Sequence, residues 1–239
     1  MIALEELRQL VGPTTLAAER TLPVLPALDD LLPSGALVRG STVGIRGDGA
    51  TSLALALAAG PSRAGSWVGF VGWGSVGWAA AAGFGVDLAR TAVIPDLAAG
   101  DWPALCAAFV DALDVVVVAP THPVHERSAR RLAARGRERG SVFVVVEARF
   151  GWPVAPDLVL SVETSEWVGL GRGHGHLRAR RSVVRGVGRR GASRGRDLEL
   201  WLPTSTGEVA VVDPDTAIDT GTVIDPGTVS ESARHLHAV

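Results

Sequence analysis

Residues 44–51 have the spacing of a phosphate-binding loop but lack its charged side chain. They read Gly-Ile-Arg-Gly-Asp-Gly-Ala-Thr, which fits the pattern G-x-x-x-x-G-K-[ST] with Ala50 at the lysine position. That lysine reaches the β- and γ-phosphates of a nucleotide, and the methyl group of alanine cannot neutralise them. All 23 basic residues of the chain are arginines, so no lysine elsewhere can replace it.

The other residues of this loop still favour its shape. Gly44, Gly47 and Gly49 permit backbone conformations that side chains would block. Thr51 and Ser52 would lie at the start of a helix, where free N–H groups favour anions. The sequence therefore predicts a degenerate loop that keeps its geometry, with no cofactor expected.

Two carboxylates that NTP hydrolysis requires are also missing. A strand of four valines at residues 115–118 should end in an acid that holds Mg²⁺, but Ala119 follows it. Asp114 precedes this strand and would lie at the opposite edge of a parallel sheet. The turn at residues 72–75, Gly-Trp-Gly-Ser, offers no acid that could activate water. Three losses together predict a pseudo-NTPase with no catalytic residues.

The surrounding pattern predicts an α/β fold with a mostly parallel central sheet. Apolar strands alternate with helical segments, which is typical of βαβ units. Strands are predicted at residues 41–45, 67–71, 92–94, 115–118 and 142–146, and helices at 51–59, 76–82, 103–113 and 125–139. Closely spaced strands at 158–163, 177–187, 198–202 and 208–212 predict an antiparallel extension at the C-terminal end.

The composition suits one large domain with short appendages. With 239 residues and 47% hydrophobic content, the chain can bury a sizeable core. We expect an N-terminal helical segment at 1–26, a core at 27–213 and a flexible tail at 214–239. The single cysteine, Cys106, lies in an apolar run and should be buried. We recognise no signal peptide and no stretch of about 18 apolar residues, so a cytoplasmic protein is expected.

Positive charge is concentrated in residues 167–196, which contain nine arginines and no acid although the whole chain carries −2. Arginine binds phosphate through a planar fork, so this segment predicts an anionic partner such as DNA. The candidate contacts are Arg178, Arg180, Arg181, Arg185, Arg189 and Arg190. A solvated loop or an acidic protein partner would explain the pattern equally well.

Three further groups have ordinary structural explanations. His174 and His176 have no cysteine or acid beside them, so we expect no metal site. Trp73 and Trp78 stand beside the degenerate site; most tryptophans of the chain should be core or loop anchors, but these two would suit a protein interface if exposed. The arginine-rich helix at 125–139 is typical of a solvated face.

Several of these segments resemble the RecA recombinase family. Residues 31–40, LLPSGALVRG, precede the strand and loop as in the entry to that family's core. Residues 83–88, GFGVDL, resemble its G-V-D element, and the valine strand matches its Walker B strand. The resemblance covers about residues 27–212 and implies a RecA-like P-loop core, with Ala119 at the Walker B position.

The chain departs from RecA where that family contacts DNA. The positions of the two long DNA-binding loops hold only residues 121–123 and 149–157, which disfavours a recombinase. The chain most resembles the ImuA-type accessory proteins of actinobacterial mutagenesis cassettes, a resemblance that includes WVGLGRG at 167–173. It implies a scaffold in SOS-induced translesion synthesis that binds an inactive Y-family polymerase homologue of the ImuB type. An error-prone replicative polymerase would join indirectly, and DNA contact would associate the complex with the nucleoid.

Two alternatives stay open. The chain could be a divergent DNA-dependent ATPase that forms RecA-like filaments, with Arg46 contacting phosphate and a neighbouring subunit supplying an acid. It could also be a nucleic-acid binder that needs no protein partner.

Overall fold

The structure is a computed structural model that describes residues 21–74, 76–147, 150–171, 174–188 and 195–213. Most of the predicted N-terminal segment (1–20) and the predicted tail (214–239) therefore lie outside the described residues. No helix within the described ranges has both the length and the apolar character needed to cross a membrane.

A nine-stranded sheet organises the described chain. Its strands are β3 (Thr42–Gly47), β4 (Val68–Val71), β5 (Thr91–Ile94), β6 (Val115–Val118), β7 (Val142–Val146), β8 (Leu158–Gly171), β9 (His174–Gly188), β10 (Arg196–Trp201) and β11 (Ala210–Val211). The spatial order is β11-β10-β9-β8-β3-β7-β6-β4-β5. Pairing is parallel from β5 through β8 and antiparallel from β8 to β11. The predicted α/β sheet with an antiparallel extension is confirmed.

Helices cover both faces of the parallel part. They are α1 (Ala50–Arg63), α2 (Trp78–Phe84), α3 (Trp102–Ala112) and α4 (Glu126–Arg139), with short 3-10 helices at Pro26–Leu31 and Leu88–Arg90. Val43 and Ile45 of β3 pack in the cluster that contains α1 and α2. Phe143 and Val145 of β7 pack in a second cluster with α3 and α4. Alternate residues of buried strands thus serve two separate cores.

The chain ahead of β3 packs tightly on α1. Residues 21–26, which the prediction groups with the N-terminal segment, include β1 (Thr21–Pro23), which pairs with β2 (Ala36–Val38). Leu22, Val24 and Leu25 are buried in the α1 cluster.

Helix α1 continues through Gly60 and Pro61, where the sequence predicts its end. A Cβ on Gly60 would lie 2.4 Å from Cα of Val24, so this glycine allows the helix and the segment after β1 to touch. Pro61 lacks an N–H group and disfavours helix at this point. The last turn nevertheless forms because Gly60, Pro61 and Ser62 are all buried against the core.

Strands β8 and β9 form a hairpin that is longer than either predicted strand. Residues 158–162 of β8 pair with β3 on one side, and β8 pairs with β9 on the other side along nearly its whole length. The register shifts between Val162 and Thr164, and again between Val168 and Leu170. After the first shift, Ser165 lies opposite Ser182 and Trp167 lies opposite Arg180.

Cys106 on α3 is fully buried, as predicted. Burial raises the pKa of its thiol well above the usual range, because the thiolate is poorly solvated there.

We expect the thiol reagent DTNB to modify Cys106 in the native protein only as fast as the protein unfolds locally or globally. In guanidinium chloride, where the chain is unfolded, the modification should be immediate. The absorbance of released thionitrobenzoate measures both rates, and rapid modification under native conditions would contradict this packing.

Candidate functional site

The loop between β3 and α1 has the predicted strand–loop–helix geometry. Gly47, at the end of β3, has φ 97°, and Gly49, directly before α1, has φ 109°. Both values lie in the left-handed region that favours glycine. A Cβ on Gly47 would lie 2.2 Å from the carbonyl oxygen of Val162, so the loop rests against the backbone of β8. The glycine spacing is therefore required by the shape of the loop itself.

The start of α1 carries no side-chain cap and no acidic residue in its first turn. Its first N–H groups have no acceptor within the helix, as in any α-helix. Ala50 is buried, whereas Thr51 is exposed and Ser52 is half-buried. The helix terminus thus offers free donors, while the residue at the lysine position points into the core.

Arg180 of β9 lies over this loop, although the sequence analysis grouped it with an arginine surface for an anionic partner. Only 6% of this residue is exposed. Its Nη2 atom lies 3.0 Å from the position of a Cβ on Gly49. The same atom lies 2.9 Å from Oδ1 of Asp48, whose side chain is 86% exposed. A guanidinium therefore lies at the loop that lacks its lysine.

Neighbours on the hairpin and on the chain after β10 fix Arg180. Its Nε donates a hydrogen bond to Oγ of Ser165. The guanidinium carbon lies 5.4 Å from the centroid of the Trp167 ring, within the range of a cation–π contact. Its backbone N–H donates to the carbonyl of Pro203 at 2.8 Å, and its carbonyl accepts from the N–H of Leu202 at 2.7 Å. The register shift after Val162 creates this arrangement because it sets Ser165 and Trp167 beside Arg180.

Of the other predicted arginine contacts that the structure describes, two pair with acids. Arg181 pairs with Glu199 at 2.7 Å, and Arg185 makes two hydrogen bonds of 2.7 Å to Asp197. The hydrogen bonds from Arg185 lower the pKa of Asp197. Arg178 is exposed. Arg189 and Arg190 lie outside the described residues.

The two acids that neutralise these arginines, Asp197 and Glu199, were not among the predicted site residues. Asp197 lies directly opposite Arg185 on β9. Glu199 lies opposite Val183 and reaches Arg181 diagonally. The signal was present as an alternation of charged and apolar residues directly after the arginine segment. Cross-strand pairs of opposite charge are common in antiparallel sheets.

The structure places the sequence-selected Asp114 away from the loop, as predicted. It precedes β6 and accepts hydrogen bonds from Nη1 of Arg39 at 2.9 Å and from the N–H of Trp67 at 3.2 Å. Ala119 follows β6 at the edge of the sheet near the loop. Asp114 therefore stabilises the opposite edge.

Trp73 and Trp78 pack inward on Phe70. The ring centroids lie 5.3 and 5.4 Å from that of Phe70, in edge-on arrangements. The predicted interface required exposed tryptophans. Trp73 is only 5% exposed and does not fulfil this condition. Ser75, the last residue of the acid-free turn, lies outside the described residues.

Glu147 is a carboxylate near the loop that the sequence analysis did not select. It follows β7, and its N–H donates to the carbonyl of Ile45 at 2.8 Å. Burial raises the pKa of its carboxyl, only partly offset by the charge of Arg46 and a backbone hydrogen bond from Trp152. The signal was the position of Glu147 directly after the buried strand β7, the kind of position where an acid was expected after residues 115–118.

Glu147 lies on the face of the sheet opposite α1. Its Oε1 is 3.3 Å from the position of a Cβ on Gly44, a residue between Val43 and Ile45, which both face α1. Arg46, the phosphate contact of the ATPase alternative, also alternates with Ile45 and donates from Nε to Oγ of Ser161 at 2.8 Å. Neither side chain is directed towards the start of α1.

Helix α4 presents a basic face that is partly neutralised. Asp111 of α3 accepts hydrogen bonds from Nε of Arg135 at 2.6 Å and from Nε of Arg139 at 3.1 Å. Arg130 pairs with Glu126 one turn earlier. These contacts join α3 to α4 and agree with the predicted solvated face.

Within the described side chains, no three His, Cys, Asp or Glu residues come together in a group that could hold a metal ion. His176 is exposed, and the side chain of His174 lies outside the described set.

Two sequence comparisons identify related proteins. A family model named MT3502 N-terminal domain matches residues 30–154. An uncharacterised protein of Mycobacterium tuberculosis, Rv3395c, is 33% identical over 145 residues, which is 60% of this chain and 70% of that protein. The family match includes the loop, all four helices and the strands β2 to β7, and it ends before the hairpin that carries Arg180.

Proposed function

The chain belongs to the MT3502 N-terminal domain family. We propose that it is a RecA-like scaffold that binds partners without hydrolysing nucleotides. The loop carries this proposal. The strand, glycine turn and helix are retained, while Ala50 is buried at the lysine position and Arg180 lies over Gly49.

The distribution of carboxylates supports a pseudo-NTPase. Hydrolysis needs an acid for Mg²⁺ and a group that positions water, both near the transferred phosphate. Among the described residues, Asp48 is the carboxylate that lies at the start of α1, and it pairs with Arg180. Asp114 lies at the far edge of the sheet, and Glu147 lies on the other face.

The segments that resemble RecA have structural roles here. In the G-V-D element, the N–H of Asp87 donates to Oγ of Ser62 at 2.8 Å, and Arg63 donates to the carbonyl of Phe84 at 3.0 Å. The segment 31–40 supplies β2 and the buried Leu31, Leu32 and Leu37. Both segments make contacts that stabilise the fold around the loop and helix α1. Their presence therefore favours a retained fold over a retained active site.

The biological role that we propose is that of the ImuA type, namely a scaffold in SOS mutagenesis and translesion DNA synthesis. Its partner would be an inactive Y-family polymerase homologue of the ImuB type, with an error-prone replicative polymerase recruited indirectly. Direct DNA contact has weaker support, because Glu199 and Asp197 neutralise Arg181 and Arg185.

An ATPase assay tests the absence of hydrolysis. With Mg²⁺ and single-stranded DNA, we expect the purified chain to release phosphate from ATP at the rate of the buffer blank, because the three required groups are missing. Thr51→Ala is the control variant and should give the same rate. Hydrolysis that Thr51→Ala abolishes, or filaments in electron micrographs that depend on ATP, would favour the ATPase alternative instead.

Co-purification tests the scaffold role. The tagged full chain, recovered from its native host after DNA damage, should retain a polymerase-related protein that mass spectrometry identifies. The tag alone is the control. Recovery of the chain without any polymerase-related protein would contradict the proposed partner.

A further inference from the structure

We propose that Arg180 and the start of α1 form an oxyanion site that takes a phosphate group, with Arg180 in place of the missing lysine. The site requires neither Mg²⁺ nor a catalytic carboxylate, so it is compatible with the absence of hydrolysis. It is also independent of the partner proposed above.

The first argument is the state of the buried guanidinium. A charged group that is 94% removed from solvent needs hydrogen-bonding partners, because desolvation is costly. Nε is satisfied by Ser165. Nη2 lies within ion-pair distance of Asp48 but makes no hydrogen bond in the structure. The partner of Nη2 at the loop is thus an exposed carboxylate, which another anion can replace.

The second argument is the terminus of α1, which is 14 residues long and has no side-chain cap. The free N–H groups and dipole of such a terminus favour an anion. Nη2 lies 3.0 Å from the Cβ position of Gly49, which directly precedes this terminus. Donors from two elements therefore converge where a lysine-bearing loop would hold phosphate.

Phosphate suits these donors better than a single carboxylate does. Its tetrahedral oxygens can accept from the guanidinium and from helix N–H groups at the same time, and its charge strengthens each bond. Free phosphate, the phosphates of a nucleotide and the backbone of DNA share this chemistry.

Asp48 is the internal competitor for Arg180. Its side chain is 86% exposed, so water competes with Nη2 for this carboxylate although the two atoms lie 2.9 Å apart. Its negative charge also repels an incoming anion. A phosphate group would displace Asp48 from Nη2, and the carboxylate would move into solvent.

Calorimetric titration and thermal unfolding of the full chain test this site. Inorganic phosphate should raise the midpoint of thermal unfolding more than sodium chloride of equal ionic strength does, and this rise should level off at high phosphate concentration. Asp48→Asn should tighten binding about tenfold, since one charged hydrogen bond or one removed repulsion is of that order. Arg180→Gln should abolish binding, and Arg180→Lys should restore part of it, because the charge returns without the fork.

Arg185→Gln is the matched control, since Arg185 is an exposed arginine on the same strand and also pairs with an aspartate. It should leave phosphate binding unchanged.

ADP without Mg²⁺ and a single-stranded oligonucleotide distinguish the possible sources of the phosphate group. Competition of either ligand with inorganic phosphate supports the site. The proposal is wrong if phosphate stabilises neither the wild type nor Asp48→Asn more than sodium chloride does. It is also wrong if Arg185→Gln weakens phosphate binding as much as Arg180→Gln does. If Arg180→Gln fails to fold, the phosphate affinities of Asp48→Asn and Arg185→Gln still test the site: the first should rise, and the second should equal that of the wild type.

Discussion

Replacement of Gly60 by alanine should lower the free energy of unfolding by about 2 kcal/mol or more, because overpacking against rigid backbone is costly. Helix propensity alone predicts the opposite sign, a gain of about 1 kcal/mol for Gly→Ala inside a helix. The new methyl carbon would lie 2.4 Å from Cα and 2.5 Å from the carbonyl carbon of Val24. Neither atom is part of a side chain that can rotate away, so α1 and the segment after β1 must separate.

Gly83→Ala provides the control within α2. A Cβ there would meet its nearest neighbour, the carbonyl oxygen of Gly207, at 3.4 Å, and the residue is exposed. This variant should be neutral or slightly stabilising. Differential scanning calorimetry should show a midpoint about 4–8 °C lower for Gly60→Ala, the shift that about 2 kcal/mol produces at this chain length. Equal midpoints for both variants would show that the contact with Val24 is loose.

The parallel part of the fold could be predicted because its signals are local. Four consecutive valines at β6 and the apolar run at β7 are typical of strands buried on both faces, and their predicted bounds match the structure. The end of α1 could not be predicted in this way. Gly60 and Pro61 are locally helix-breaking, and the contact with Val24 that outweighs them joins residues 36 positions apart.

The candidate site was harder to predict because it depends on strand register. A one-residue slip moves a side chain to the other face of a sheet, and a shift of this kind occurs after Val162. This shift sets Trp167 opposite Arg180, and the alternation of side chains along β9 places Arg180 against the loop while its neighbour Arg181 pairs with Glu199 on the other face. Six arginines that looked equivalent in the sequence therefore have different environments where the structure describes them.

The glycines of the loop are explained by packing as well as by ligand chemistry. Gly44, Gly47 and Gly49 closely approach Pro156, the backbone of Val162 and Arg180, respectively. These contacts would preserve the glycine pattern whether or not the chain hydrolyses nucleotides. A glycine-rich loop with the correct spacing thus indicates a fold, whereas the lysine and the carboxylates indicate an activity.

Gly47→Ala should be the most damaging substitution in this loop, with a loss of about 3 kcal/mol or more from backbone strain and overpacking together. Its φ of 97° is unfavourable for alanine, and the methyl carbon would lie 2.2 Å from the carbonyl oxygen of Val162. Relief of this clash would separate β3 from β8, where Gly47 pairs with Val162. Guanidinium titration followed by tryptophan fluorescence measures the loss.

Gly49→Ala separates the two causes, because its φ of 109° carries a similar backbone strain without a backbone clash. Its methyl carbon would meet Nη2 of Arg180 at 3.0 Å, the end of a side chain, which yields more readily than the backbone of Val162 does. Gly49→Ala should therefore cost about 1–3 kcal/mol, the strain alone, and weaken phosphate binding by displacing the guanidinium. Gly47→Ala should be less stable than Gly49→Ala. The reverse order of stability would mean that β8 does not constrain the loop. Because β9, which carries Arg180, is held beside the loop through its pairing with β8, the position of Arg180 over Gly49 would then be unexplained.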